Sequence, residues 1–362
     1  MNPRAIPTDA AAITADWLEA ALAERAGGGR TVEAVTVVDE HSGTTGRARL
    51  RVDWGGGSDG DGAGRAPSTV FAKLAPSDPT QRAWVVQVGM GLREVRFYDE
   101  LAETLPIRVP APLWTGATAD GGAYLLLLED VEAAGCAVYH LASRDHDVLR
   151  HAQAMMTTLG MLHGRYMASA RFGGDLSWVL PPRRDPVGPQ LVHEALDAFG
   201  HDMSPAFRAL GALYVDHTEA VSEHLDQGVP TLVHGDCHIG NTFTDGDRVG
   251  LLDWALVCRA PGLRDVAYYL CNSLPVEVRR AETPALLTRY LDAVARAGAP
   301  APTLSEASDA LQEHALTSWV AVVVTAAVGD RMQSLEAGQL SMARATAAIE
   351  DFDTAGRLRA AL

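Results

Sequence analysis

Apolar and polar positions alternate through the first third of the chain. In RARLRVDW (residues 47–54) Ala48, Leu50, Val52 and Trp54 share one face, the two-residue period of a half-buried strand. TVEAVTVVDE (31–40) and TVFAKLA (69–75) are rich in β-branched residues and predict two more strands. The stretch between them, GGGSDGDGAGRAPS (55–68), predicts a flexible loop. A helical period covers 8–25, with Thr14 as a cap, and again 82–105. In the second run Glu94 falls on the same face as Phe97, Tyr98 and Leu101, so its carboxylate is expected beside an apolar stripe. A Gly-Gly turn and AYLLLLED (123–130) add a hairpin.

Beyond residue 131 the period changes to 3.6. Residues 146–169, 192–203 and 204–225 predict helices, and the chain from about 258 onward does the same. TLVHGDCHIGNTFTDGDRVGLLDWALV (231–257) interrupts them with a hairpin turning at Asp245–Gly246. No internal repeat is present. The expected fold class is α+β and bilobal. A small β-rich lobe over 1–130 would precede a larger, mainly helical lobe over 131–362.

Bulk composition narrows the function classes. The 362 residues are 47% hydrophobic, enough for a large core. A formal net charge of -16 argues against nucleic acid as partner, while leaving room for a small phosphorylated ligand held by one or two local cations. Acidity also leans toward a cationic substrate. The N-terminus shows no apolar signal region, and WVAVVVTAAV (319–328) is half the length of a membrane span and predicts a buried helix. Cys136, Cys237, Cys258 and Cys271 lack metal or disulfide spacing. A cytoplasmic protein without membrane partners is expected. Nothing in the pattern sets an oligomeric state.

The chemistry concentrates in VHGDCHIGN (233–241). Asp236 and Asn241 stand five apart, and the hairpin brings Asp253 back toward Asn241. Two hard oxygen donors, Asn241 and Asp253, suit magnesium, which keeps water and phosphate oxygens as its remaining ligands. Asp236 is then free to take a proton from a hydroxyl. That grouping is what phosphoryl transfer requires. Lys73, mid-strand between apolar neighbours, needs a counter-charge, and Glu94 can supply it. The turn Gly43, Thr44, Thr45, Gly46 offers backbone N–H groups to phosphates. Blander readings stand beside these. His234 braces the loop, His238 faces either the loop or the phosphates, Cys237 fills a small buried space, and His163 is a core histidine. A zinc site from His234, Cys237, His238 and Asp253 would instead make a metal-dependent hydrolase, although HxxCH is not a standard zinc spacing. A nucleotide-binding regulatory module without turnover is the remaining alternative.

The set HGDCHIGN, LLDW, Lys73 in VFAKLA, Glu94 in LREVRFYDEL and LLLLEDV resembles the aminoglycoside phosphotransferase and choline kinase-like family, nearest its ecdysteroid-kinase-like branch and bacterial relatives. The resemblance runs over roughly residues 35–295. It implies a protein-kinase-like fold with ATP as co-substrate, Mg2+ on Asn241 and Asp253, and Asp236 as catalytic base. Lys73 would touch the α- and β-phosphates, held by Glu94. Glu129, Asp130 and Val131 would form the adenine-binding hinge, and Asp265 would buttress the catalytic loop. DWA stands where protein kinases have DFG, and no APE-type segment follows, which points away from a protein substrate. The implied acceptor is a hydroxylated small molecule: an antibiotic, a sterol-like alcohol, a sugar or a hydroxyacyl compound. Trp178, Trp254 and Trp319 are expected to make the acceptor region apolar.

Overall fold

The structure, a computed structural model, describes residues 5–26, 31–55, 67–142, 147–328 and 335–362. Most of the expected loop at 55–68 lies outside the described residues. The chain forms two compact units. The first comprises Met1–Leu105, Val109–Val138 and Leu252–Leu256; the second comprises Pro106–Arg108, Tyr139–Leu251 and Val257–Leu362.

The first unit is built on an antiparallel sheet of five strands in the order β1-β2-β3-β5-β4. Here β1 is Val32–Ser42, β2 Gly46–Trp54, β3 Thr69–Leu74, β4 Pro112–Ala117 and β5 Tyr124–Glu129. Alternation decides which side chains go in: Ala48, Leu50 and Val52 of β2 are buried with Val70, Ala72 and Leu74 of β3. Helix α1 (Ala15–Ala26) covers this face with Leu18 and Ala21, and Thr14 caps it through the Trp17 N–H at 3.2 Å. Strand β5 lies between β3 and β4, and Tyr124 to Leu128 are all buried. Against β4 and β5 packs α3 (Met90–Glu100). The helix expected over 82–105 is in fact two. Gly89, at φ 71°, ends α2 (Pro79–Val88) and starts α3, because its left-handed conformation lets its N–H return to the carbonyls of Val85 and Val86.

The second unit is mainly helical, with two short strand pairs that carry the loops of interest. Pro230–Val233 pairs with Cys258–Pro261. Thr242–Asp245 and Arg248–Leu251 form the expected hairpin, with Gly246 at φ 60° in its turn. Around them stand α4 (Val148–Tyr166), α5 (Val187–Phe199), α6 (Pro205–Asp216), α7 (Thr218–Leu225), α8 (Leu263–Ser273), α9 (Val276–Arg296), α10 (Leu304–Val328), α11 (Leu335–Asp351) and α12 (Thr354–Ala361). The single helix expected over 204–225 breaks at His217, which caps α6 with its N–H on the Leu213 carbonyl. Among the described residues α10 is the one helix long and apolar enough to cross a membrane, but Ala315, Leu316, Trp319, Val322 and Val323 pack into the core.

Two of the tryptophans expected to make an acceptor region apolar are wholly enclosed. Trp319 is fully buried, edge-on to Phe207 at 4.8 Å between centroids. Trp254 belongs to the first unit, where its ring stacks on Phe97 at 4.1 Å. Both are core residues, for large aromatic side chains stabilise most when wholly enclosed.

Helices α4 and α9 approach closely because α4 presents Gly160 and Gly164 one turn apart. A Cβ at Gly160 would stand 2.4 Å from the Ala293 Cβ and 2.6 Å from the Tyr290 carbonyl oxygen. Gly160→Val is therefore expected to cost about 1–3 kcal/mol or more through overpacking. Urea unfolding should show a lower midpoint with unchanged slope. Gly173→Ala, where an added Cβ meets nothing within 4 Å, is the control. Equal midpoints for the two variants would contradict the close-packing account.

Candidate active site

In the first unit the site grows from one rung of the sheet. Lys73 on β3 lies directly across from Arg47 on β2. Two cations facing each other repel unless an anion stands between them. Asp253 is that anion: its Oδ1 accepts from Lys73 Nζ at 2.8 Å and its Oδ2 from Arg47 Nη2 at 2.9 Å. Glu94, on the buried stripe of α3, meets Lys73 Nζ through Oε2 at 2.6 Å, an ion pair whose angles fall outside hydrogen-bond geometry. Its other oxygen, Oε1, accepts the Trp254 N–H at 3.2 Å. Arg93 donates to the Ala255 carbonyl at 3.2 Å, so α3 grips the 253–255 segment at two points. The side chains of Lys73 and Glu94 are only 4% and 1% exposed. Burial pushes the Glu94 carboxyl up, the Lys73 ammonium pulls it back, and the neighbouring Asp253 charge pushes it up again. Asp253 itself adopts φ 59°, a left-handed conformation costing a residue with a side chain on the order of 1 kcal/mol.

The turn at 43–46 is tied down by Gln81, whose Nε2 donates to the Gly43 carbonyl at 2.7 Å, while the Gly43 N–H reaches Thr45 O. Thr45 is buried, and its hydroxyl has no hydrogen-bond partner among the described residues. At 129–131 the carbonyls of Asp130 and Val131 accept from Ala134 and Cys136, and the Glu129 N–H donates to Ala111. The Asp130 side chain is structural. It takes the Thr69 hydroxyl at 2.7 Å and pairs with Arg49 at 2.8 Å, which ties β2 and β3 to the end of β5.

In the second unit Asp265 organises the loop 234–241. Its carboxylate accepts the N–H of His234 at 2.6 Å and of Gly235 at 3.0 Å. His163 approaches the same carboxylate through Nε2 at 3.3 Å and meets the Tyr290 hydroxyl through Nδ1 at 3.0 Å. Burial alone would raise the Asp265 pKa; the His163 hydrogen bond and charge, the His234 charge and the Gly235 N–H outweigh it and hold the carboxyl below its usual range. Asp236 follows in the loop, its N–H on His234 Nδ1 at 3.2 Å. Tyr268 donates to Asp236 Oδ1 at 2.5 Å, and the Asn241 amide donates to Oδ2 at 3.1 Å and to the backbone carbonyl at 2.9 Å. With its NH2 so engaged, Asn241 has its amide oxygen left for a hard cation. His238 Nε2 stands 3.9 Å from Asp236 Oδ2, and its Nδ1 is buried without a hydrogen-bond partner among the described residues.

The first unit thus assembles Lys73, Glu94 and Asp253, and the second assembles His234, Asp236, Asn241 and Asp265. Asn241 and Asp253 fall in different units. Among the described residues no group of three or more His, Cys, Asp or Glu is arranged for a metal. Cys237 donates its thiol to the Asp265 carbonyl at 3.2 Å, and burial pushes that thiol well up, away from a metal-binding thiolate. Sequence reasoning missed three residues. Arg47 was legible in principle, since strand register puts it opposite Lys73. Tyr268 reads as helix core, and only the fold reveals its hydroxyl on Asp236. His151 bridges the Tyr269 and Thr242 hydroxyls at 2.6 and 3.0 Å, next to Asn241, and carries no local signal.

A family model described as "Phosphotransferase enzyme family" matches residues 81–302. No curated protein matches the sequence. Among solved structures, a candidate aminoglycoside phosphotransferase from Ralstonia eutropha is 17% identical with a TM-score of 0.50, covering 89% of this chain and 92% of that one. An amicoumacin kinase in complex with AMP-PNP, Ca2+ and Ami is 16% identical with a TM-score of 0.50, covering 88% of each chain. At these identities the likeness is one of fold, which is α+β and protein-kinase-like.

Two outcomes follow from the charges. Glu94→Ala strips Lys73 of one carboxylate in a buried setting and is expected to destabilise by about 3–5 kcal/mol. Lys73→Met combined with Glu94→Leu should cost well under the sum of the single changes, measured as a double-mutant cycle in urea; strict additivity would refute the coupling. The folded-state pKa of Asp265 lies below its unfolded value. Its contribution is therefore complete above about pH 4 and fades as pH falls through the folded value. Asp265→Asn should lower stability at pH 7 and flatten the acid limb of a stability–pH curve; an unaltered limb would contradict the assignment.

Proposed function

This chain belongs to the phosphotransferase enzyme family, and from that premise we propose that it moves the γ-phosphoryl group of ATP to a hydroxyl of a small molecule. The observation that carries this reading is the buried cluster of Lys73, Glu94 and Asp253. A hydrophobic core gains little from such charges, since apolar residues of the same volume would stabilise as well or better. A buried ammonium beside a conformationally strained carboxylate suits a phosphate clamp.

In the proposed reaction Lys73 holds the α- and β-phosphates, with Glu94 fixing its ammonium and Arg47 beside it. The turn at 43–46 lends backbone N–H groups, and backbone groups of 129–131 meet the adenine. Asp236 receives the proton of the acceptor hydroxyl. Tyr268 and Asn241 fix the orientation of its carboxylate, and Asp265 fixes the loop that presents it. Asn241 and Asp253 would hold Mg2+, which when bound neutralises phosphate charge. Their donor atoms fit: one amide oxygen and one carboxylate, both hard. None of the four cysteines is in a disulfide.

The test is a panel of hydroxylated compounds with labelled ATP and Mg2+. Acceptor-dependent ADP release is expected, reduced about 10²-fold or more in Asp236→Asn and in Lys73→Ala. Nucleotide binding with no acceptor-dependent release would favour a regulatory module. Turnover that ignores ATP and Lys73 would favour a hydrolase.

A further inference from the structure

Arg264 stands in the first turn of α8, one helical turn before Tyr268. It is half-buried, and among the described residues its side chain makes no hydrogen bond and no ion pair. A cation there sits at the wrong end of the helix dipole. Its charge acts on Tyr214 of α6, Tyr268 of α8 and His314 of α10. The carboxylates that act on the same three side chains are already engaged. Asp236 takes Tyr268 and Asn241; Asp265 takes two backbone N–H groups and His163. Asp185 takes Arg183 and the Val187 N–H. His314 is 3% exposed with Nδ1 lacking a hydrogen-bond partner among the described residues. Burial first, then the Arg264 and His224 charges, drive its imidazole down to about 3, so it is neutral and adds no cation of its own. What remains is one guanidinium without a hydrogen-bonded or ion-paired partner among the described residues, a buried imidazole nitrogen without a hydrogen-bond partner among them and, one helical turn along α8, the Tyr268 hydroxyl that donates to the Asp236 carboxylate.

We propose that Arg264 is the anion-recognising residue of the acceptor subsite, so that the acceptor is a hydroxylated compound carrying a carboxylate, sulfate or phosphate. The proposal rests on Asp236 being the base that meets the acceptor hydroxyl. It runs against the expectation from net charge alone: a chain of net charge -16 would draw cationic compounds, whereas this position supplies a local positive charge. Guanidinium matches such oxyanions through two parallel N–H donors, which makes the anion a specificity element and not merely a source of affinity.

The experiment uses matched acceptors, each a hydroxy acid paired with its neutral amide, assayed for ADP release with ATP and Mg2+. Wild type should favour the acid. In Arg264→Gln the ratio of kcat/KM between acid and amide should fall by about tenfold or more, and Arg264→Lys should restore part of it. A ratio of kcat/KM cancels any general loss of folded enzyme. Preference for the amide in wild type, or an unchanged ratio in Arg264→Gln, overturns the proposal. A second measurement needs no acceptor. With nucleotide and Mg2+ present and ionic strength held constant, inorganic sulfate should raise the Tm of wild type and not of Arg264→Gln; equal shifts, or none in wild type, overturn it. The phosphotransfer reading fails separately, if Asp236→Asn or Lys73→Ala leaves acceptor-dependent ADP release intact.

Discussion

The ammonium of Lys73 is almost wholly removed from water, and that sets conditions on everything around it. A charge so placed must be matched within a few ångströms, and Glu94 and Asp253 do this from a helix and from a returning segment of chain. Much of the first unit can be understood as support for that match. Gly89 breaks the helix before Glu94 and sets where α3 begins. Arg93 and Glu94 Oε1 hold the backbone of 254 and 255, and Phe97 stacks on Trp254. Asp253 is thereby kept in a left-handed conformation that an isolated chain would rarely adopt. Arg47 adds a second cation, so the carboxylate stands between two positive charges. In the proposed reaction such an anion would exchange a cationic partner for the divalent ion.

The second unit solves a different problem: a polar loop must be rigid without the help of a sheet or helix. Asp265 does this by accepting two consecutive backbone N–H groups with one carboxylate, while His163 and Tyr290 support it from α4 and α9. His151 and Thr242 fix the far end of the loop, beside Asn241. Between these anchors Asp236 has both oxygens oriented, one by a tyrosine and one by an amide. For the proposed base, preorganisation of this kind would remove reorganisation from the reaction step.

How much of this the sequence carries depends on the range of the interaction. Strand alternation placed Ala48, Leu50 and Val52 inward, and the Asp245–Gly246 signal located the hairpin, since both are local rules. The pairing of Lys73 with Glu94 was also legible, because a lysine among apolar strand neighbours demands a counter-ion. Helix breaks at Gly89 and His217 were not, for apolar periodicity continues through both. Trp254 and Trp319 misled for the opposite reason: hydrophobicity identifies burial but not which core receives it. Tyr268, His151 and Arg264 act through contacts or charges that depend on helix packing, which periodicity alone does not encode.

The central claim is that the Lys73, Glu94 and Asp253 cluster is a phosphate clamp awaiting nucleotide. A crystal structure with a non-hydrolysable ATP analogue and Mg2+ tests it most directly. The account predicts Lys73 Nζ within hydrogen-bond distance of an α- or β-phosphate oxygen, still paired with Glu94, and Asp253 and Asn241 on the cation. Nucleotide bound with its phosphates remote from Lys73, and the Lys73–Asp253 contact unchanged at 2.8 Å, would contradict it.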